Sequence, residues 1–420
     1  MRLTDQEQEI LKGKHGEAPR IALSVLVDLG EVFGAQEMMR VSQVHIDMTI
    51  YMVDAGVEFA ERLADLGGKV AVPTSLNPSA IDLERWKEYR APAKLLDKSR
   101  RLERAYLRMG ATPTWTCAPY QQGMIPRFGE QIAWGESNAI AFANSIIGAR
   151  TNRYGDLMDI CAAIIGKVPK FGLHLTENRK AEVLIQLKEI SREMFENKAI
   201  YPLLGFLIGE MAGDRIAAIK GIPQDVKIDS LKGLCAAAAS SGAVGLLHIV
   251  GVTPEAQSLE MCLQGTKPRE IFQIMPQMIQ DAEERLSTAK RDIADVIIVG
   301  CPHFSFAEFR ELAQLMEGRE VNSSVTFWAI TSRAVFGWIK NCGILKDLTD
   351  SGVMVFTDVC PLQYPKETWH FNGAMTNSGK FANYCFSQTG LDVTFGSLEE
   401  CVDTAVTGKL CRRESPWGKS

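Results

Sequence analysis

A chain of 420 residues is long enough for two or three domains and a sizeable core. With 46% hydrophobic and 23% charged residues it has an ordinary globular composition, and its net charge of -5 argues against a nucleic-acid or acidic-membrane partner. No apolar run reaches membrane-spanning length and the first residues lack an apolar signal core, so the expectation is a cytoplasmic protein whose ten cysteines stay reduced.

The first predicted element is a short helix opened by a capping box from Thr4 to Glu7, with Gly13 as a stop. Residues 21–33 carry apolar side chains at helical spacing, and 41–50 read as a strand holding His45. Asp54 is a candidate cap for a helix ending at Gly67-Gly68, followed by a strand over 69–72 and a loop over 73–78. A charged helix over 97–109 stops at Gly110. A strand over 112–116 then leads into Cys117, and a polar stretch with Glu130, Glu136, Ser137 and Asn138 precedes a small-residue helix over 139–147. The glycine-bounded loop 148–155 leads to Asp156, a candidate cap for the helix through Ile164. A strand with His174 is expected over 171–175, and a long helix over 181–197.

From residue 227 onward helices and strands alternate. Helices are expected over 230–239, 254–263, 278–291, 306–316 and 332–344. Strands are expected over 245–251, 296–300, 325–330, 353–356 and 393–395, with a closing helix from Ser397. This is a doubly wound α/β pattern. The tail after Cys411 reads as disordered or ordered by a partner. Residues 1–205 are taken as an N-terminal α/β domain with the first cysteine and the substrate loops, and 206–420 as a C-terminal α/β region with two further cysteines.

Three cysteines close apolar runs, each with a proline close behind: Thr116-Cys117-Ala118-Pro119, Gly300-Cys301-Pro302 and Val359-Cys360-Pro361. Functional groups gather at the carboxyl ends of strands in open α/β sheets. Three thiols brought there would make a three-coordinate metal or cluster site with one open position. Three separately buried cysteines are the plain alternative. Gly373 to Phe381 resembles a phosphate-binding loop, but its spacing is one residue too long. It reads instead as an anion-binding turn with Thr376, Asn377, Ser378 and Lys380, or as a helix cap with a solvated lysine. Arg150 and Arg153 sit between glycines and suit carboxylate recognition or surface ion pairs. Glu130 and Glu136 are candidate acids or bases, and His303 stands out among the histidines because it follows Cys301 by two residues.

With these residues in place, the chain resembles the large, catalytic subunit of the aconitase X family of hydro-lyases. The resemblance covers nearly the whole chain. It is carried by Asp54-Ala55-Gly56-Val57-Glu58-Phe59, Pro73-Thr74-Ser75-Leu76-Asn77, Thr116-Cys117-Ala118-Pro119-Tyr120, Gly148-Ala149-Arg150-Thr151-Asn152-Arg153, Gly172-Leu173-His174-Leu175, Gly300-Cys301-Pro302-His303, Thr376-Asn377-Ser378-Gly379-Lys380 and Phe395-Gly396-Ser397-Leu398-Glu399-Glu400-Cys401. It implies an aconitase-like fold, multiple doubly wound α/β domains around a central active-site cleft. It implies an iron centre, mononuclear or iron–sulfur, on Cys117, Cys301 and Cys360.

On that footing the catalytic candidates are Glu136, Ser137, His303 and Lys380, and the substrate-binding candidates are Thr74, Asn77, Asn138, Arg150, Asn152, Arg153 and Ser378. The family acts on small hydroxy acids. Cis-3-hydroxy-L-proline is the substrate favoured here, giving Δ1-pyrroline-2-carboxylate, and mevalonate 5-phosphate is the alternative. The family's base is a serine on a small domain or subunit. Neither Ser240-Ser241 nor Ser323-Ser324 sits in a serine-and-glycine loop of that kind, so a small partner subunit is expected to supply it. A non-catalytic metal-binding protein and a structural zinc protein are the readings from other classes. Colour separates the last of these, since zinc–thiolate protein is colourless.

Overall fold

The computed structural model describes residues 1–88, 91–289, 294–363 and 370–418. Strand β1 (Met38–Arg40) pairs antiparallel with β5 (Lys167–Pro169). Between them in sequence, β2 (Val44–Ile46), β3 (Thr74–Leu76) and β4 (Ala133–Trp134) form a parallel sheet with β2 in the middle. A second parallel sheet holds β6 (Val183–Leu187), β7 (Ala217–Lys220), β8 (Leu247–Ile249) and β9 (Glu270–Ile274) in the order β8-β7-β6-β9. The third holds β10 (Val296–Phe304), β11 (Thr326–Thr331), β12 (Val353–Thr357), β13 (Ala374–Thr376) and β14 (Val393–Phe395). Its order is β12-β11-β10-β13-β14, all parallel.

In the third sheet the winding reverses beside β10. Such a switch point leaves a crevice at the carboxyl ends of the flanking strands. Helices cover both faces. Val296 and Ile298 belong to one apolar cluster, whereas Ile297 and Val299 belong to another. That two-sided burial is why β10 reads as a continuous apolar run and not an alternating one.

The alternation expected after residue 227 matches the helices Ile228–Ser241, Phe306–Met316, Arg333–Asn341 and Leu398–Thr407 and the strands between them. The last helix starts with a capping box at Ser397 and Glu400, and the first helix, Asp5–Leu11, has the expected box at Thr4 and Glu7. The helix expected over 278–291 is Pro276–Arg285, and residues 290 and 291 lie outside the described residues. The boundary placed between 205 and 206 falls inside the helix Ile200–Ala212, which leads from β6 to β7 of one sheet.

Other expectations fail for identifiable reasons. The helix expected over 181–197 is β6 followed by turns. Its start, Val183-Leu184-Ile185, is buried between β7 and β9, and that pairing overrides the helix-forming Lys and Glu residues around it. The strand expected over 69–72 lies instead at Thr74–Leu76, inside the expected loop, because Val44 N–H bonds to Pro73 O at 2.9 Å and sets the register there. Residues 112–116 run alongside β3 but form only an isolated bridge, because Pro113 has no N–H and Trp115 takes a φ of 44°. The strand expected over 171–175 is a one-turn helix, Gly172–His174, entered through Gly172 at a φ of 59°. Asp156 caps nothing, since the helix Met158–Ile165 starts from Leu157 without a side-chain cap. The tail is held by its own chain: Trp417 is 2% exposed, and its indole Nε1 donates to Glu283 at 2.9 Å. Among the described residues no helix is long and apolar enough to cross a membrane.

Candidate active site

The three-stranded and five-stranded sheets present their carboxyl ends to one cavity of about 480 Å³. Asp47 directly follows β2, Asn77 directly follows β3, and Glu136 stands two residues past β4. From the other side come Cys301 within β10, Cys360 three residues after β12, and Lys380 on the helix Gly379–Thr389 after β13. Cys117 ends the extended segment whose Thr116 N–H bonds to Leu76 O at 3.1 Å. The strand-end rule therefore places seven chemically active side chains around one space.

Two glycines make that convergence possible. A Cβ on Gly135 would lie 2.7 Å from Asp47 Cβ and 2.8 Å from Asp159 Oδ2, so β4 approaches the end of β2 only without a side chain. Gly300 has a φ of 94°, and a Cβ there would lie 2.1 Å from Ile330 O.

Glu136 and Lys380 form the electrostatic centre. Lys380 Nζ lies 2.5 Å from Glu136 Oε1, with side chains 13% and 6% exposed, and 3.2 Å from Ser137 Oγ. The second carboxylate oxygen of Glu136 caps the helix Ser137–Phe142 by accepting from Ala139 N–H at 2.5 Å. Burial alone would raise the Glu136 carboxyl, but Lys380 and the helix N–H groups outweigh it and hold the group ionised. Burial works against the Lys380 charge, and Glu136 with the neighbouring thiols more than restores it, so the ammonium persists. Lys380, read from sequence as part of an anion-binding turn or as a solvated lysine, is a buried ion-pair member.

Burial pushes the Cys117 thiol well up, Cys301 up to about 12 and Cys360 up, with Lys380 pulling the other way at each. As they stand the thiols are protonated at neutral pH. In kind, the donor set suits a soft metal: three free thiols lining one cavity beside a fixed cation. Among the described residues no three Cys, His, Asp or Glu side chains are arranged to hold a metal ion. Loading the site would therefore have to draw the sulfurs together and displace their protons.

On the opposite wall, Asp47 accepts from Asn77 Nδ2, and its N–H donates to Asp159 Oδ2 at 2.5 Å. Burial and the carboxylates Glu136, Asp156 and Asp159 raise the Asp47 carboxyl well above its ordinary range, so it keeps a proton. Arg153 lines the cavity from an exposed position, and among the described residues no carboxylate pairs with it.

Of the residues expected at the site, Asn77, Cys117, Glu136, Ser137, Arg153, Cys301, His303, Cys360 and Lys380 line this cavity. Thr74, Asn138, Arg150, Asn152 and Ser378 do not. Thr74 Oγ1 donates to Val72 O, and Arg150 bonds to His174 O and Thr176 Oγ1. Asn152 bonds to Phe171 O and Leu173 N–H. Asn138 donates to Cys117 O at 2.9 Å, and Ser378, the N-cap of its helix, donates to Cys301 O. These last two brace the cysteine loops with their donors, while Asn138 Oδ1 is buried with no partner among the described residues. His303 has both ring nitrogens engaged by protein atoms, which removes it as an acid or base in this arrangement.

Sequence reasoning missed Asp47, Tyr154, Asp156, Tyr384 and Gln388. Lys380, Tyr384 and Gln388 recur at intervals of four on one helix, and that spacing was the available signal. Asp47 carried the same strand-end signal as the cysteines.

The fold and cavity are those of an α/β enzyme with a candidate active site at strand ends between two parallel sheets. Family profiles for the aconitase X first, second and third domains match residues 1–177, 181–284 and 294–407. The chain is 41% identical over 411 residues to a cis-3-hydroxy-L-proline dehydratase of Pseudomonas aeruginosa, covering 97% of this chain and 70% of that protein. It is 35% identical over 404 residues to the phosphomevalonate dehydratase large subunit of Methanocaldococcus jannaschii, covering 95% and 99%. The crystal structure of Thermococcus kodakaraensis aconitase X in its holo-form superposes with a TM-score of 0.87 at 34% identity, covering 96% of this chain and all of that one. The chain belongs to the aconitase X family, and its chemistry is that of a hydro-lyase.

Proposed function

We propose that this chain removes water from a small cyclic hydroxy amino acid, cis-3-hydroxy-L-proline, to give Δ1-pyrroline-2-carboxylate. The observation that carries this reading is the charge of the cavity. Three carboxyl groups, Asp47, Glu136 and Asp156, line it with two cations, Lys380 and Arg153, and Lys380 is already paired with Glu136. Arg153 then remains to hold one carboxylate, and Asp156 suits a substrate ammonium, with the protonated Asp47 beside it. A phosphorylated acid would bring a second, more highly charged anion toward Glu136 and Asp156, which argues against mevalonate 5-phosphate. The identity to the Pseudomonas aeruginosa protein supports the same choice.

Cys117, Cys301 and Cys360 would hold an iron centre, as an iron–sulfur cluster or a single ion. When bound, such a group supplies a Lewis acid for the departing hydroxyl. The chain's own residues bind the substrate around it. Arg153 fixes the carboxylate, the Glu136–Lys380 pair keeps a positive charge beside the thiols, and the proton on Asp47 is available to a leaving oxygen. Among the described cavity residues Lys380 is protonated, the ring of His303 is occupied and Asp156 is given to the substrate ammonium, so none of the three is assigned as the base. A small partner subunit supplying the base is therefore part of the proposal, supported by the relatives named as large subunits. Ten free cysteines fit a reducing compartment such as the cytoplasm.

The test is water loss from both acids by the chain co-expressed with its small partner. Turnover of cis-3-hydroxy-L-proline is expected, with Arg153→Met raising KM about 10- to 100-fold and leaving Tm unchanged. Turnover of mevalonate 5-phosphate alone would sink the assignment.

A further inference from the structure

His303 follows Cys301 by two residues, where the pairing of β10 with β11 shifts register between Val299 and Phe304. Such irregularities re-aim side chains out of the sheet. Its ring Nδ1 lies 3.1 Å from Thr116 Oγ1, on the residue before Cys117. Its ring Nε2 lies 3.0 Å from the carbonyl of Val359, the residue before Cys360. Its backbone N–H donates to Cys117 Sγ at 3.3 Å. One residue therefore touches all three cysteine-bearing segments.

The partners settle the tautomer. A carbonyl only accepts, so Nε2 carries the hydrogen and Nδ1 accepts. Thr116 Oγ1 already accepts from Ala118 N–H at 3.1 Å, which leaves its own hydrogen for Nδ1. A neutral imidazole satisfies every partner. The carbonyl of His303 is held in turn. It accepts from Lys232 Nζ at 3.1 Å, and Lys232 is paired with Glu308 and lies 3.4 Å from Asp229. Ser305 caps the helix Phe306–Met316 and donates to Asp229 at 2.8 Å, so this anchor is tied into secondary structure.

We propose that His303 is a positioning residue that clasps the Cys117, Cys301 and Cys360 segments together, with the buried Lys232–Glu308 pair as its anchor. The inference rests on the reading that the three thiols form one site. The full-length chain in metal-free form is treated with iodoacetamide, and labelling rates at individual cysteines are read by peptide mass spectrometry. Iron(II) alone is then titrated in under anaerobic conditions.

In His303→Ala, labelling of Cys117 and Cys360 should accelerate at least about tenfold, and iron affinity should fall about 10- to 100-fold, the usual loss when an outer partner of a metal site is removed. Buried Cys161 and Cys401 should label as slowly as before. His303→Gln should restore much of both, because its amide can donate to Val359 O and accept from Thr116. Unchanged rates at Cys117 and Cys360, or equal acceleration at all four cysteines, overturns the clasp. Selective exposure in a chain that takes up no iron supports the clasp and overturns the metal reading. If His303→Ala does not fold, Lys232→Met combined with Glu308→Gln reads the same rates with the ring in place.

Discussion

Asp159 is fully buried and accepts from Asp47 N–H at 2.5 Å and from Ile160 N–H at 2.7 Å. Burial nevertheless pushes its carboxyl up to about 7, because two N–H groups do not replace the water it lost. Its folded-state pKa is thus above its unfolded one, so the unfolded chain releases its proton first. Stability falls as pH rises from about 4 to about 7, by a shift of about 3 pH units or roughly 4 kcal/mol. Urea melts should show lower stability at pH 8 than at pH 5, and Asp159→Asn should flatten that slope. An unaltered slope in Asp159→Asn would locate the pH dependence elsewhere. The group also illustrates what pattern reading omits. Asp159 looks like an ordinary first-turn helix acid, yet it holds the main chain at Asp47 and so sets one wall of the cavity.

At the scale of elements, the site depends on strands ending in the right place. β10 carries Cys301 past β11 at a separation that only a glycine tolerates. Gly300→Ala combines a φ of 94° with a Cβ 2.1 Å from a backbone carbonyl, and should cost about 3 kcal/mol in denaturant unfolding. A loss below about 1 kcal/mol would mean that the strand moves aside easily. Two of the three cysteine strands, β10 and β12, were legible because their apolar runs are buried on both faces, whereas 112–116 forms only an isolated bridge. β3 was not: its sequence, Thr74-Ser75-Leu76, is short and largely polar, and its partners lie 30 residues upstream. The helix Gly379–Thr389 was half legible, since a helix cap was one of two readings of the turn and Ser378 is that cap.

At the scale of the molecule, the cavity lies between two sheets whose strands are separated by more than 150 residues of sequence. Its described walls supply anion and ammonium recognition, thiols and a proton donor, and the base is assigned to the small partner. The isolated chain should therefore dehydrate cis-3-hydroxy-L-proline at least about 100-fold more slowly than the chain with its small partner, the span that a positioned base contributes. Equal rates with and without the partner would show that this chain carries its own base.

The sequence by itself determined the doubly wound character of the chain after residue 227, the family, and the three thiols, because these depend on local hydrophobic runs and contiguous motifs. Tertiary structure decided which polar groups face the substrate space. Asn138, Ser378 and Arg150 look as available in sequence as Glu136 and Arg153, yet their donors turn to backbone oxygens and, for Arg150, the Thr176 hydroxyl. Asp47, and Asp156, which the sequence offered only as a helix cap, line the cavity. A side chain's direction is set by the strands and helices packed around it, and those neighbours come from distant parts of the chain.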